Sequence, residues 1–359
     1  MVDSENDEGD AGNNALPWFD YQPGESVPNH VTHLRIGVQQ AMAAARNGST
    51  PGIIELPYGL CRNHPNLQQV QIHVHTVEVT PSYAFGQCQQ LKQVEFVAST
   101  TGQSDIAEAT RNRPVQPRLT MIDYKAFYYC PNLHSVIGLE HVSQSLKRIG
   151  ISAFGNCGKL TTLNLSCLTR LDSLGNAAFA YWESLTVVDL SNSLLVETIN
   201  SYTFCDCKAL CNIHLPRKLK QIHFGVFKPC KTLVTVVIPA LVETMSHLVF
   251  GGCSSLTQVT FQSTRHLRRL MRDYQFRGCT SLHTLELQSP IILRHLWPLV
   301  LEQFLKNDNG LLAQAGIPND KQRITIAWNF MRSNIANFCV EEKTPASRKR
   351  RILSSGDNV

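Results

Sequence analysis

Apolar residues recur along this chain at fixed offsets from a series of phenylalanines. Phe85, Phe127, Phe154, Phe179, Phe204, Phe227, Phe250 and Phe276 each have a leucine six residues later: Leu91, Leu133, Leu160, Leu185, Leu210, Leu233, Leu256 and Leu282. Nine residues after the Phe stands an aliphatic residue: Val94, Val136, Leu163, Val188, Ile213, Val236, Val259 or Leu285. Eleven after it the residue is apolar in every unit but one (Phe96, Leu165, Leu190, Leu215, Ile238, Phe261, Leu287), and Gly138 is the exception. Five before it stand Ile122, Ile149, Leu174, Ile199, Ile222 and Met245. Three after it comes cysteine (Cys88, Cys130, Cys157, Cys207, Cys230, Cys253, Cys279), with Trp182 taking the place once. Most units are 23 to 27 residues long and read I-x-x-x-A-F-x-x-C-x-x-L-x-x-V-x-L. One interval is 42 residues and holds a polar insertion, residues 99–118, with Pro114 and Pro117, which predicts a loop.

A unit of this length cannot bury its own apolar face, but stacked units can, so the predicted core is a column shared by neighbours. The L-x-x-V-x-L stretch has period-2 apolar positions and predicts a short strand with one face inward. Stacked strands give a parallel sheet at about 4.8 Å spacing. Each Phe and Cys then lies over its counterpart, with Cys as a small hydrophobe.

The segments Ala126-Phe127-Tyr128-Tyr129-Cys130-Pro131-Asn132-Leu133 and Ala153-Phe154-Gly155-Asn156-Cys157-Gly158-Lys159-Leu160 resemble the BspA-like subtype of leucine-rich repeat. The resemblance covers roughly residues 58–288, and no asparagine ladder follows the strand as it does in other leucine-rich repeats. It implies a mainly β protein: a right-handed solenoid with short strands on the concave and convex sides. Members of the subtype with a role are mostly adhesion or protein-binding modules.

The ends need covers. Val31 to Ile36 alternates and predicts the opening strand, Gln39 to Ala45 a short helix, and 47–52 a turn. Residues 54–60 and 67–79 read as a degenerate first repeat, as expected where one face meets water. After the last repeat, Trp297, Val300, Leu301, Phe304 and Leu305 form one helical stripe, and Ile324, Ala327, Trp328, Met331, Ile335 and Phe338 form a second. Pro298 and Asn309-Gly310 punctuate the first, and Asp320 can cap the second. The expected organisation is thus a disordered acidic N-terminus (1–25), an N-terminal cap (26–60), about eight repeats (61–288), a C-terminal pair of α-helices closing the solenoid (289–340) and a disordered tail (341–359).

Composition narrows the class. The 359 residues are 43% hydrophobic and 17% charged, which excludes a wholly disordered chain. No apolar run approaches the roughly 18 residues that span a bilayer, so no membrane partner is expected. The first ten residues carry Asp3, Glu5, Asp7, Glu8 and Asp10, the wrong charge sign for a secretory signal, so an intracellular, cytoplasmic setting with reduced cysteines is expected. Arg348-Lys349-Arg350-Arg351 in the tail is a candidate nuclear import signal. The net charge of +5 is too dilute to argue nucleic-acid binding by itself.

Candidate chemistry is sparse. Cys205, Cys207 and Cys211 have the look of a zinc cluster, but Cys207 belongs to the inward ladder and Cys211 opens a strand, so their thiols should diverge. His73 and His75, with His64 nearby, lack a third ligand at fixed spacing and read as exposed strand positions. No metal and no cofactor are expected. G-x-S-x-G, H-E-x-x-H and G-x-G-x-x-G are absent, so no enzyme is predicted.

The expected function is binding of a protein partner on the concave face. In each strand the residues flanking the inward aliphatic point out. They include Glu95, Thr162, Asn164, Val187, Asp189, Asn212, His214, Thr235, Gln258, Thr260 and Glu286. This array is mainly neutral and polar, with no aromatic. The alternative is polyanion or nucleic-acid binding through Arg265, Arg268, Arg269, Arg272 and Arg277 with the basic tail, although few aromatics interleave for base stacking.

Overall fold

The structure is a computed structural model and describes residues 17–98, 116–263, 266, 269–270, 275–282 and 284–287. The chain winds through two columns of short parallel strands. The long-strand column comprises β1 (Phe19–Tyr21), β2 (His33–Ile36), β3 (Gln69–His73), β5 (Gln93–Val97), β7 (Ser135–Ile137), β9 (Thr162–Asn164), β11 (Val187–Asp189), β13 (Asn212–His214), β15 (Thr235–Ile238), β17 (Gln258–Phe261) and β19 (Thr284–Leu287). The short-strand column comprises β4 (Val79–Thr80), β6 (Met121–Ile122), β8 (Arg148–Ile149), β10 (Ser173–Leu174), β12 (Thr198–Ile199), β14 (Gln221–Ile222), β16 (Thr244–Met245) and β18 (Arg269–Leu270). Hydrogen-bonded ladders run β1-β2-β3-β5-β7, β9-β11-β13 and β15-β17-β19 in the first column, and β4-β6-β8-β10 and β12-β14-β16-β18 in the second. The apolar residue five before each Phe is the inward residue of the short strand, as with Ile122, Leu174 and Ile222, all fully buried.

The phenylalanines form one stack through the molecule. Rings 85, 127, 154, 179, 204, 227, 250 and 276 follow each other at 5.0–5.9 Å, with interplanar angles of 3–13°. Beside it runs the cysteine ladder, where each thiol does more than fill space. Cys130, Cys157, Cys207, Cys230, Cys253 and Cys279 donate to the Phe carbonyl of the preceding coil at 3.0–3.3 Å. Trp182 keeps the same bond, its indole N–H donating to Phe154 O at 2.6 Å. The repeat position therefore asks for an inward donor, which explains why tryptophan can replace cysteine there.

The turn that carries each Phe is tied to the next coil by every second amide. Phe127 N–H donates to Ala153 O, Lys125 N–H to Ile151 O and Tyr129 N–H to Gly155 O, and the same triple recurs along the stack. To aim alternate amides the same way, the residues two before and two after the Phe take left-handed conformations. Tyr83, Lys125, Ser152, Ala177 and Tyr202 do so on one side, and Gln87, Tyr129, Asn156, Tyr181 and Asp206 on the other. Such residues cost about 1–2 kcal/mol each, which stacking and inter-coil hydrogen bonds offset. Gly138, the one break in the apolar pattern, sits at φ +79, and a Cβ there would stand 1.9 Å from Phe96 O. Glycine is needed for the chain to pass over Phe96 into the 3-10 turn Leu139–Val142.

At the N-terminal end, the predicted strand and helix are present as β2 and α1 (Val38–Arg46). The expected disorder of 1–25 is corrected at its C-terminal end: β1 pairs with β2, Phe19 opposite Leu34, and Tyr21 is buried. Alternation over three residues is too short a signal to announce a strand. The C-terminal helix pair (289–340), the tail (341–359), residues 1–16 and most of the insertion (99–115) lie outside the described residues.

Candidate binding surfaces

In the long strands Val, Ile and Leu turn inward, and register stacks the remaining residues into rows. Thr162, Val187 and Asn212 share one row across β9, β11 and β13; Asn164, Asp189 and His214 share the next. Thr235, Gln258 and Thr284 line up across β15, β17 and β19, as do Val237, Thr260 and Glu286. All these residues thus fall on one face. Their roles there differ.

Asn164 and Asp189 are tied into their own loops. Asn164 Oδ1 accepts from the Ser166 amide at 3.0 Å and the Ser166 hydroxyl at 2.6 Å; Asp189 Oδ1 accepts from the Ser191 amide at 2.8 Å. These bonds shape the strand exits. Burial pushes the Asp189 carboxyl up, but the Ser191 amide and hydroxyl and the His214 ring outweigh it and hold it below the ordinary value. Thr260 is 6% exposed, so it offers little surface, and it accepts a hydrogen bond from Gln258 Nε2 at 3.2 Å.

At the N-terminal end of the face, Arg35 Nε donates to Gln71 Oε1 at 3.1 Å, and Gln71 Nε2 donates to Glu95 Oε2 at 2.8 Å. The Arg35 guanidinium lies 4.7 Å over the Trp18 ring, whose edge meets His33 at 5.1 Å. These aromatic contacts lie before the first strand of the predicted outward array, which itself holds no aromatic. His33 and Arg35 flank Leu34 in the alternating run, so a signal for them existed; Trp18 precedes the strand that the pattern did not reveal.

The ladder is interrupted between β13 and β15, and the interruption leaves a depression of about 310 Å³. Asn212, His214, Arg217, Thr235, Val237 and Gln262 are among its lining residues, with Pro239 beside Val237. Asn212, His214 and Thr235 are exposed, and so is Val237, at 46%. The volume is at the low end for ligand pockets and suits a single side chain of a partner. Donors and acceptors converge there around an apolar patch.

The other candidates separate. Of the arginine run, Arg265, Arg268 and Arg272 lie outside the described residues; Arg269 falls in β18 and Arg277 is exposed in the last turn. The Cys205 cluster diverges as expected: Cys207 reaches Phe179 O, and Cys211 reaches Thr186 O at 3.2 Å. His64 is buried, with Nε2 at 2.9 Å from Pro28 O. His73 is 2% exposed, against the expectation of an exposed strand position, and its ring is 5.3 Å from that of His75. Burial, with His75 adding to it, pushes His73 down to about 4. In the cysteine ladder burial pushes Cys88, Cys157 and Cys207 up to about 12, so these thiols stay protonated and unreactive.

A second surface, on the Phe-bearing turns, went unread because consensus averaging hides residues that vary between repeats. Tyr58, Tyr83 and Tyr124 stand on successive coils, ring to ring at 5.8 and 5.4 Å. Lys125 Nζ lies 4.9–5.4 Å from the rings of Tyr83, Tyr124 and Tyr128, and Arg62 lies 4.4 Å over Tyr83. Hydrogen bonds with the Tyr124 and Tyr83 hydroxyls push the Lys125 ammonium up from its ordinary value.

Two parallel strand columns, a stacked aromatic core and a 23–27-residue period define a repeat protein whose coils bury each other. The chain belongs to the BspA-type leucine-rich repeat proteins: residues 54–168, 111–196 and 172–293 match that repeat region, in six copies. Among solved structures it is similar to a leucine-rich repeat protein from Bacteroides ovatus (22% identity, TM-score 0.44, 65% of this chain and 63% of that one). It is also similar to the leucine-rich repeat protein of T. pallidum (20%, 0.29, 62% and 76%) and to the pneumococcal vaccine antigen PcpA (15%, 0.34, 75% and 72%). The chain therefore spans somewhat less than two thirds of the Bacteroides protein. No curated protein matches it.

Proposed function

We propose that this protein is a non-enzymatic interaction module that binds a protein partner on the concave face, the side formed by the long strands. The observation that carries the reading is the depression at the β13–β15 interruption, where exposed Asn212, His214 and Thr235 surround exposed Val237. Buried rows beneath it make the surface rigid, so a partner loses its own freedom but orders little of this chain. Leucine-rich repeat proteins in general mediate protein–protein interaction, which supports the class of partner. The outward array contracts on this reading to its centre. Asn164 and Asp189 shape loops, Thr260 is covered, and Glu95 is engaged by Gln71. The test is affinity capture from lysate with the wild type and with Asn212→Arg/Thr235→Arg. Proteins retained by the wild type and lost from the variant support the proposal; an identical retained set overturns it.

A further inference from the structure

The tyrosine surface stands on turns, with Tyr58, Tyr83 and Tyr124 all outside the long strands. Tyr58 is 64% exposed and Tyr124 is 36% exposed. Tyr83 between them bears Arg62 on its ring and accepts a hydrogen bond from Lys125 Nζ at 3.2 Å. Among the described residues, neither cation is within ion-pair distance of a carboxylate. Asp123, two residues before Lys125, accepts instead from the Ser82 hydroxyl at 2.6 Å. Arg62 Nε donates to Gln87 Oε1 at 3.2 Å. Two cations held against aromatic rings, with no carboxylate in ion-pair distance among the described residues, set positive charge in an amphipathic frame. Tyr and Arg are the side chains that anchor protein interfaces, because they bring large contact area with few rotatable bonds.

We propose that Tyr58, Tyr83, Tyr124, Arg62 and Lys125 form a docking site for an acidic peptide segment of a partner protein, with a carboxylate seated between the two cations and flanking apolar side chains on the rings. Charge complementarity selects the carboxylate, and the rings select a body beside it. A nucleic-acid backbone is a poorer fit, since phosphate tracks are met by runs of cations rather than by two.

The full chain is titrated with a labelled, acetylated peptide of glutamates interrupted by leucines, and with its glutamine counterpart. The wild type binds the glutamate peptide, and the glutamine peptide binds at least about tenfold more weakly. Arg62→Glu/Lys125→Glu loses the glutamate peptide by at least about tenfold while the melting temperature holds. Should that variant not fold, Lys125→Gln serves, with a smaller loss in the same direction. No binding to the wild type, or equal binding to the charge-reversed variant, overturns the proposal. So does binding to phosphatidylserine vesicles without binding to the peptide, which would make the patch a membrane contact. Asn212→Arg/Thr235→Arg leaves peptide binding unchanged, so failure here is distinct from failure of the concave reading.

Discussion

Trp182 offers the sharpest test of how the coils hold together. It is fully buried, its indole N–H donates to Phe154 O at 2.6 Å, and its ring meets Phe179 edge-on at 5.5 Å. Trp182→Phe keeps an aromatic ring in the slot and removes the donor. The Phe154 carbonyl then loses its inward partner, at about 1–3 kcal/mol for a buried acceptor left unsatisfied. The smaller ring loses roughly 1 kcal/mol more in buried apolar area. The expected destabilisation is about 2–4 kcal/mol. Trp182→Cys restores the consensus donor but leaves a cavity; it should be more stable than Trp182→Ala by about 1 kcal/mol, the worth of one hydrogen bond. Urea unfolding followed by circular dichroism measures all three. Stacked repeats can unfold in parts, so the comparison requires slopes that match between variants. A Trp182→Phe midpoint within about 0.5 kcal/mol of the wild type would refute the donor account and leave the slot a matter of size alone.

Three further outcomes follow from the core. Phe154→Ala interrupts the ring stack between Phe127 and Phe179 and should cost about 3–5 kcal/mol in the same unfolding assay; an unchanged curve would contradict the inward stack. The ladder thiols titrate near 9.0 when unfolded but are pushed up to about 12 at Cys88, Cys157 and Cys207 in the folded chain. Above the unfolded value the unfolded state sheds protons that the folded state keeps, so stability falls with rising pH by up to about 1.4 kcal/mol per unit per thiol. Cys157→Ala should remove one thiol's share of that slope. His73 has the opposite sense: its folded value is pushed from 6.5 down to about 4, so the unfolded chain gains a proton first as pH falls. Its contribution, on the order of 3 kcal/mol, is present above pH 6.5 and is lost toward pH 4; an acid unfolding curve unchanged in His73→Asn would contradict this.

The inward half of every repeat was legible in the sequence, because each inward residue repeats its chemistry at a fixed offset. Leu133, Leu163, Phe154 and Cys157 announce their places by spacing alone. The turn conformation was not legible. Left-handed backbone is normally flagged by glycine or asparagine, and here Tyr83, Lys125, Ala177 and Tyr202 adopt it because neighbouring coils demand the amide direction. The thiol's donor role was masked by the usual behaviour of buried cysteine; Trp182 was the one clue. On the long-strand face, alternation assigned the outward residues but not their state. It could not distinguish Asn164, exposed but held by Ser166, from Asn212, exposed at the depression. The break between β13 and β15 that creates the depression leaves no mark on the apolar pattern. The tyrosines were visible as residues, but only the stacking of coils brings Tyr58, Tyr83 and Tyr124 together.

The depression on the long-strand face is the proposed seat of a protein partner. A calorimetric titration of the captured partner against wild type, Asn212→Arg/Thr235→Arg and Lys125→Gln tests it most directly. The first variant should weaken binding by at least about a hundredfold, from two bulky charges at the centre of the contact, while its melting temperature and the Lys125→Gln affinity stay at the wild-type values. Equal affinity for wild type and Asn212→Arg/Thr235→Arg would contradict it.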